Sequence, residues 1–105
     1  MDKSIPDKQN GDPNTNIGLL RRAINEIDEK IMELINQRLS LAKQVGDFKK
    51  QGGIQITDIN REKKIVSRLL EKNNGPVSDN GLRNIFEAII AEGRNVQRPD
   101  YPGKG

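Results

Sequence analysis

The chain contains no cysteine and no histidine, and its aromatic residues are two Phe and one Tyr. Without Cys there is no thiol chemistry and no disulfide framework of the kind secreted domains use. Without His the commonest acid–base catalyst and the usual zinc ligand are both missing, so no metal site and no cofactor are expected. No apolar run reaches the length of a signal-peptide core or a membrane span, which leaves a cytoplasmic protein with no membrane partner as the simplest expectation. Nor is there a basic run. The net charge is +3, and the Lys and Arg residues are interleaved with acids, so no nucleic-acid partner is expected. Apolar residues make up 32% of 105 positions and charged residues 31%, enough for one domain with a thin core. Small helical chains short of core commonly complete it by pairing, so a homodimer is expected.

What is present is one long amphipathic pattern from Leu19 to Lys50. Its apolar positions are Leu20, Ile24, Ile27, Ile31, Leu34, Leu41, Val45 and Phe48, in alternating steps of four and three, with no Pro or Gly before Gly46. That alternation predicts a helix whose stripe packs on other helices, running roughly 50 Å at 1.5 Å per residue. The one gap in the series is Arg38. A guanidinium in an apolar stripe is costly unless an anion meets it, whether from the protein or from a ligand.

Residues 1–16 are polar and rich in Asn, Asp and Lys, and read as a flexible tail. The helical domain is expected over 17–98, with a first helix from Ile17 or Leu19 to Lys50 capped by Asn16, and a stop at Gln51-Gly52-Gly53. Ile54 to Ile56 reads as a loop. Thr57 is the expected cap of a second helix, Asp58 to Lys72, with Ile65, Val66, Leu69 and Leu70 inward. Asn73-Asn74-Gly75-Pro76 breaks it. Ser78 or Asp79 then opens a third helix to Gln97, with Leu82, Ile85, Phe86, Ile89, Ile90 and Val96 inward, followed by a loose tail over 99–105. The fold class is therefore all-α, with three helices, one of them very long.

The charges have a pattern of their own. Arg38 and Lys49 are three helical turns apart, on one side of the first helix and separated by roughly 16 Å. The reversal at Gly52-Gly53 can bring Asp58 and Glu62, four residues apart on the face that continues back from Ile65 and Leu69, alongside them. The row Phe86, Ile90, Gly93 ends in the amide of Gln97. Arg21 is about 25 Å from Arg38 by the same rise, too far to grip one small ligand unless two such helices pack antiparallel. A pocket of this kind offers cations to carboxylates and acids to hydroxyls. It suits a reaction that needs positioning and charge stabilisation but no proton transfer.

These residues carry a family resemblance. Leu20-Arg21, Ile27-Asp28, Leu34 to Arg38, Val45-Gly46, Lys49, and Asp58-Ile59-Asn60-Arg61-Glu62 together resemble the all-helical chorismate mutases, including the mutase domain of bacterial proteins fused to prephenate dehydratase. The resemblance implies an intertwined helical homodimer with shared active sites and the cofactor-free Claisen rearrangement of chorismate to prephenate, in phenylalanine and tyrosine biosynthesis. It further implies that Arg38 and the partner's Arg21 bind the two carboxylates, and that Lys49 and Gln97 donate to the ether oxygen. Asp58 and Glu62 would hold the ring hydroxyl, with Arg61 supporting the acids or a carboxylate. The chain departs from relatives at Gly93, where some have Ser, and at Thr57, where one carries Arg. Competing readings are an isochorismate-pyruvate lyase or an aminodeoxychorismate mutase of the same fold. A non-catalytic dimerisation module, with Arg38 and Glu62 as a buried structural pair, is the other.

Overall fold

The computed structural model describes residues 11–104. Most of the expected N-terminal tail, residues 1–10, and Gly105 at the other end lie outside the described residues. Within them are three helices, α1 (Pro13–Gly52), α2 (Ile59–Lys72) and α3 (Asp79–Asn95), and no strand. Contacts group the chain into two units, one up to Asn36 and one from Gln37, and α1 runs through both.

In the first unit α1 begins at Pro13, earlier than the expected start at Ile17 or Leu19, so Asn16 lies inside the helix and is not its cap. Asp12 does the capping. Its Oδ2 accepts from the Thr15 amide at 3.2 Å and from the Thr15 hydroxyl at 3.4 Å. Pro13 then occupies the first helical position, where a missing N–H costs nothing and the fixed φ suits the turn. The apolar stripe of this unit, Leu20, Ile24, Ile27, Ile31 and Leu34, is exposed in the single chain.

The second unit holds the core. Ile65 and Val66 of α2 pack against Ile90 of α3, with Leu69 and Leu70 closing around them. The last turns of α1 carry Lys49 and Lys50, which complement its C-terminal dipole. Gly53 then takes φ +66°, a conformation open to glycine, and the Ile54 amide bonds back to the Lys49 carbonyl at 2.7 Å.

One expected cap shifts by one residue, and another falls on the first of its two candidates. Asp58, not Thr57, caps α2: it sits in extended backbone and its Oδ1 accepts from the Arg61 amide at 3.1 Å. A carboxylate completes this bond and also faces the helix dipole, so Asp58 lies outside the helix rather than on its inward face. Ser78 caps α3 through the Gly81 amide at 3.0 Å. That helix ends at Asn95, leaving Gln97 in the turn beyond it, with its amide on the Arg94 carbonyl at 3.1 Å. Ile85, expected inward, is exposed, as are Leu41, Val45 and Phe48 of α1.

The C-terminal segment is also less loose than expected. Its chain turns back after α3, the Tyr101 amide bonds to the Arg98 carbonyl, and the Tyr101 hydroxyl donates to Glu92.

Candidate active site

Three elements of the second unit enclose a cavity of about 280 Å³. The last turns of α1 contribute Arg38 and Lys49, the start of α2 contributes Asp58, Arg61 and Glu62, and the end of α3 contributes Arg94 and Gln97. Leu41, Val45, Ile65 and Ile90 supply apolar wall. Six of the seven residues singled out from sequence therefore meet around one space. The seventh, Arg21, belongs to the first unit, where it is exposed. Arg94 is the charged wall residue that sequence reasoning missed.

Each polar side chain is held by an identifiable partner or conspicuously lacks one. Lys49 Nζ donates to the Ile56 carbonyl at 2.8 Å, which fastens the loop after α1 beside the cavity that both residues line. Asp58 is engaged as the α2 cap. Arg94 Nη1 donates to Glu62 Oε1 at 2.7 Å, a part-buried ion pair joining α3 to α2. The Arg38–Glu62 pair expected of a non-catalytic module is thus not formed. Among the described residues no carboxylate pairs with Arg38. Burial, and secondly the positive charge of Arg61, lower the pKa of its guanidinium from the ordinary value. These surroundings disfavour a charge that arginine cannot shed, and an anion beside the guanidinium would relieve that cost.

Two glycines face this packing, and one of them is required by it. A Cβ on Gly46 of α1 would lie 2.6 Å from Gln97 Cγ, so only glycine lets the turn after α3 approach α1 this closely. A Cβ on Gly93 would meet Arg38 Nη1 at 3.4 Å, an ordinary contact. Gln97 itself donates Nε2 to the Gly93 carbonyl at 3.0 Å, while its Oε1 is buried with no hydrogen-bond partner among the described residues. An unsatisfied buried acceptor costs on the order of 1–3 kcal/mol, and it points to a group that completes the site.

The fold and the cavity define a class: a small all-helical protein with a cavity lined by three guanidinium groups and one ammonium, with two carboxylates among them. The chain belongs to the chorismate mutase type II family, whose model matches residues 20–98. A chorismate mutase of Methanocaldococcus jannaschii is 41% identical over 81 residues, covering 75% of this chain and 81% of that protein. A bifunctional chorismate mutase/prephenate dehydratase of Neisseria gonorrhoeae is 32% identical over 79 residues, but there the chain spans 21% of the relative's length. Among solved structures, a conserved hypothetical protein from Pyrococcus furiosus superimposes with a TM-score of 0.67 at 33% identity, covering 84% of this chain and all of that one. Among the described residues, no helix is long and apolar enough to cross a membrane, and no group of His, Cys, Asp and Glu could hold a metal ion.

Proposed function

We propose that the chain is a chorismate mutase that converts chorismate to prephenate, the precursor of phenylalanine and tyrosine, in a site completed by a second copy of itself. The carrying observation is the pair of guanidiniums, Arg38 and Arg61, that face the cavity without a carboxylate partner among the described residues, beside a carboxylate already engaged by Arg94. Such an arrangement suits an anion that also carries a hydroxyl. In the rearrangement an ether C–O bond breaks as a C–C bond forms, with no net transfer of protons or electrons. The protein's task is to hold the compact conformer and to stabilise charge on the ether oxygen.

In this reading Arg38 takes one carboxylate and the partner's Arg21 takes the other. Lys49 donates to the ether oxygen from the position fixed by the Ile56 carbonyl. Gln97 donates from the opposite wall. It does so through Nε2, which carries two N–H groups and spends one of them on the Gly93 carbonyl. Both donors gain most as the oxygen becomes anionic, so they lower the barrier rather than only tightening binding. Asp58 and Glu62 receive the ring hydroxyl, and Arg61 supports a carboxylate.

The exposed apolar stripe of α1 supports the second copy. Leu20, Ile24, Ile27, Ile31 and Leu34 lie open to solvent at helical spacing, a pattern that a helix of another chain covers. Incubating the purified protein with chorismate and identifying the product tests the function. Formation of prephenate is expected; its absence from a folded dimer would sink the proposal.

A further inference from the structure

Arg94 lines the cavity but has no part in the reading above beyond its bond to Glu62. It follows buried Ile90 by one helical turn, and its side chain and that of Glu62 are 31% and 23% exposed. Glu62, Ile90 and Arg94 also line a second hollow on the other side, with Val66, Arg83 and Glu87, so the ion pair forms part of the partition between the two spaces. The pairing has two consequences. It keeps the Glu62 carboxylate on the α3 side, which leaves Arg38 and Arg61 open to a ligand. It also cancels the charge of the acid that faces a substrate's ring substituent.

We infer that Arg94 determines specificity at the ring-substituent subsite, making it accept a neutral hydroxyl and reject an ammonium. This rests on the chorismate mutase reading and names the substrate class within it. A bare carboxylate attracts an ammonium far more than a hydroxyl, because two opposite unit charges attract by a Coulomb energy that a neutral group lacks. With Arg94 Nη1 at 2.7 Å from Oε1, an incoming ammonium meets a fixed positive charge at nearly the same place as the negative one. Lys49, Arg38 and Arg61 face the same space and add to the repulsion, and Asp58, the one other acid in the wall, is bound to the Arg61 amide as the α2 cap. A hydroxyl carries no net charge and is indifferent to this balance. It still finds an acceptor, since Arg94 uses a single oxygen of Glu62.

The test compares kcat/KM for chorismate and for its analogue with an amino group in place of the ring hydroxyl, in the wild-type dimer and in Arg94→Met and Arg94→Lys. The wild type is expected to prefer chorismate. Arg94→Met should move the ratio toward the amino analogue by about tenfold, the scale of removing one partly screened unit charge, and Arg94→Lys should restore most of it. Should Arg94→Met not fold, Arg94→Gln and inhibition of wild-type turnover by the amino analogue carry the comparison. Inhibition no weaker than the KM for chorismate contradicts the inference. So does an unchanged ratio in the uncharged variant, or an equal shift in Arg94→Lys, which would leave Arg94 a structural strut. A folded wild type that turns over no chorismate overturns the function proposed above and this inference with it.

Discussion

Gly46→Ala separates two opposed effects that the structure allows to be weighed. Replacing a glycine within a helix by alanine ordinarily stabilises by about 1 kcal/mol, because less backbone freedom is lost on folding. At position 46 the added Cβ would lie 2.6 Å from Gln97 Cγ, 2.8 Å from its Cβ and 3.3 Å from its Cα. The side chain could swing aside, but the Cα cannot move without the turn after α3 moving with it. Forcing a methyl into a packed site costs roughly 1–3 kcal/mol, so the steric term wins and a net loss of about 1 kcal/mol is expected.

The effect on rate should be larger than that on stability. Gln97 is the group that must retreat, and in the proposed mechanism it donates to the ether oxygen. A displacement of order 1 Å at a reacting group costs about a hundredfold in rate. Because the donor acts mainly on developing charge, the loss should fall on kcat more than on KM. The control is Gly93→Ala, where the nearest atoms are Arg38 Nη1 at 3.4 Å and Ala42 Cβ at 3.8 Å, and where the ordinary gain of about 1 kcal/mol is expected. Urea denaturation at fixed protomer concentration, alongside chorismate turnover, measures both. Gly46→Ala matching Gly93→Ala in stability with kcat unchanged would refute the packing argument.

Arg38→Met should leave folding unharmed or slightly improved, since it removes an uncompensated cation from the cavity wall, while activity drops by orders of magnitude; a fully active variant would contradict the binding role. Co-refolding inactive Arg21→Ala with inactive Lys49→Ala should restore part of the activity, because one of the two shared sites in the heterodimer regains both residues; proven heterodimers that stay inactive would contradict the sharing. Tyr101→Phe removes the hydroxyl that, ahead of Asn95, holds the Glu92 carboxyl below the usual glutamate range, and that hydroxyl is itself raised by the same bond. A carboxyl lowered by folding contributes stability above its unfolded pKa, and the contribution is lost as pH falls through the folded value. A phenol raised by folding contributes below about pH 10 and loses the contribution as pH rises through its raised value. The stability gap between wild type and Tyr101→Phe should therefore be widest near neutrality and narrow at both extremes, as urea titrations across pH would show; a constant gap would contradict it.

The site was legible in sequence where helical geometry alone relates the residues. Arg38 and Lys49 share a helix face, Glu62 lies one turn from the core position Ile65, and the glycines at 52 and 53 supply the reversal that brings them together. Caps were less legible, because Thr57 and Asp58 are both competent and the choice depends on which can face the Arg61 amide. Asp12 was overlooked because the polar tail around it hid the signal of Pro13 at a first helical position. Arg94 was missed for a different reason. Its partner is 32 residues away in the chain, so only the packing of α2 on α3 turns it from a surface charge into part of the site. The sequence signal that could have found it is its step of four from Ile90.

The remaining difficulty is energetic, and it bears on why the proposed site needs two chains. Among the described residues the buried apolar ones are Ile65, Val66, Ile90 and Val96, whereas the eight residues of the α1 stripe from Leu20 to Phe48 are between 40% and 71% exposed. Fully burying a side chain of this kind is worth about 1.5–3 kcal/mol, so the stripe holds more potential stabilisation than the core realises in one chain. Covering the stripe with a second α1 would supply that stabilisation and, in an antiparallel arrangement, deliver Arg21 to the other copy's cavity. Folding, pairing and site assembly then draw on the same buried surface. If the chain pairs in this way, activity and stability should fall together on dilution rather than in sequence, since one chain alone buries four apolar side chains and leaves the eight of the α1 stripe exposed.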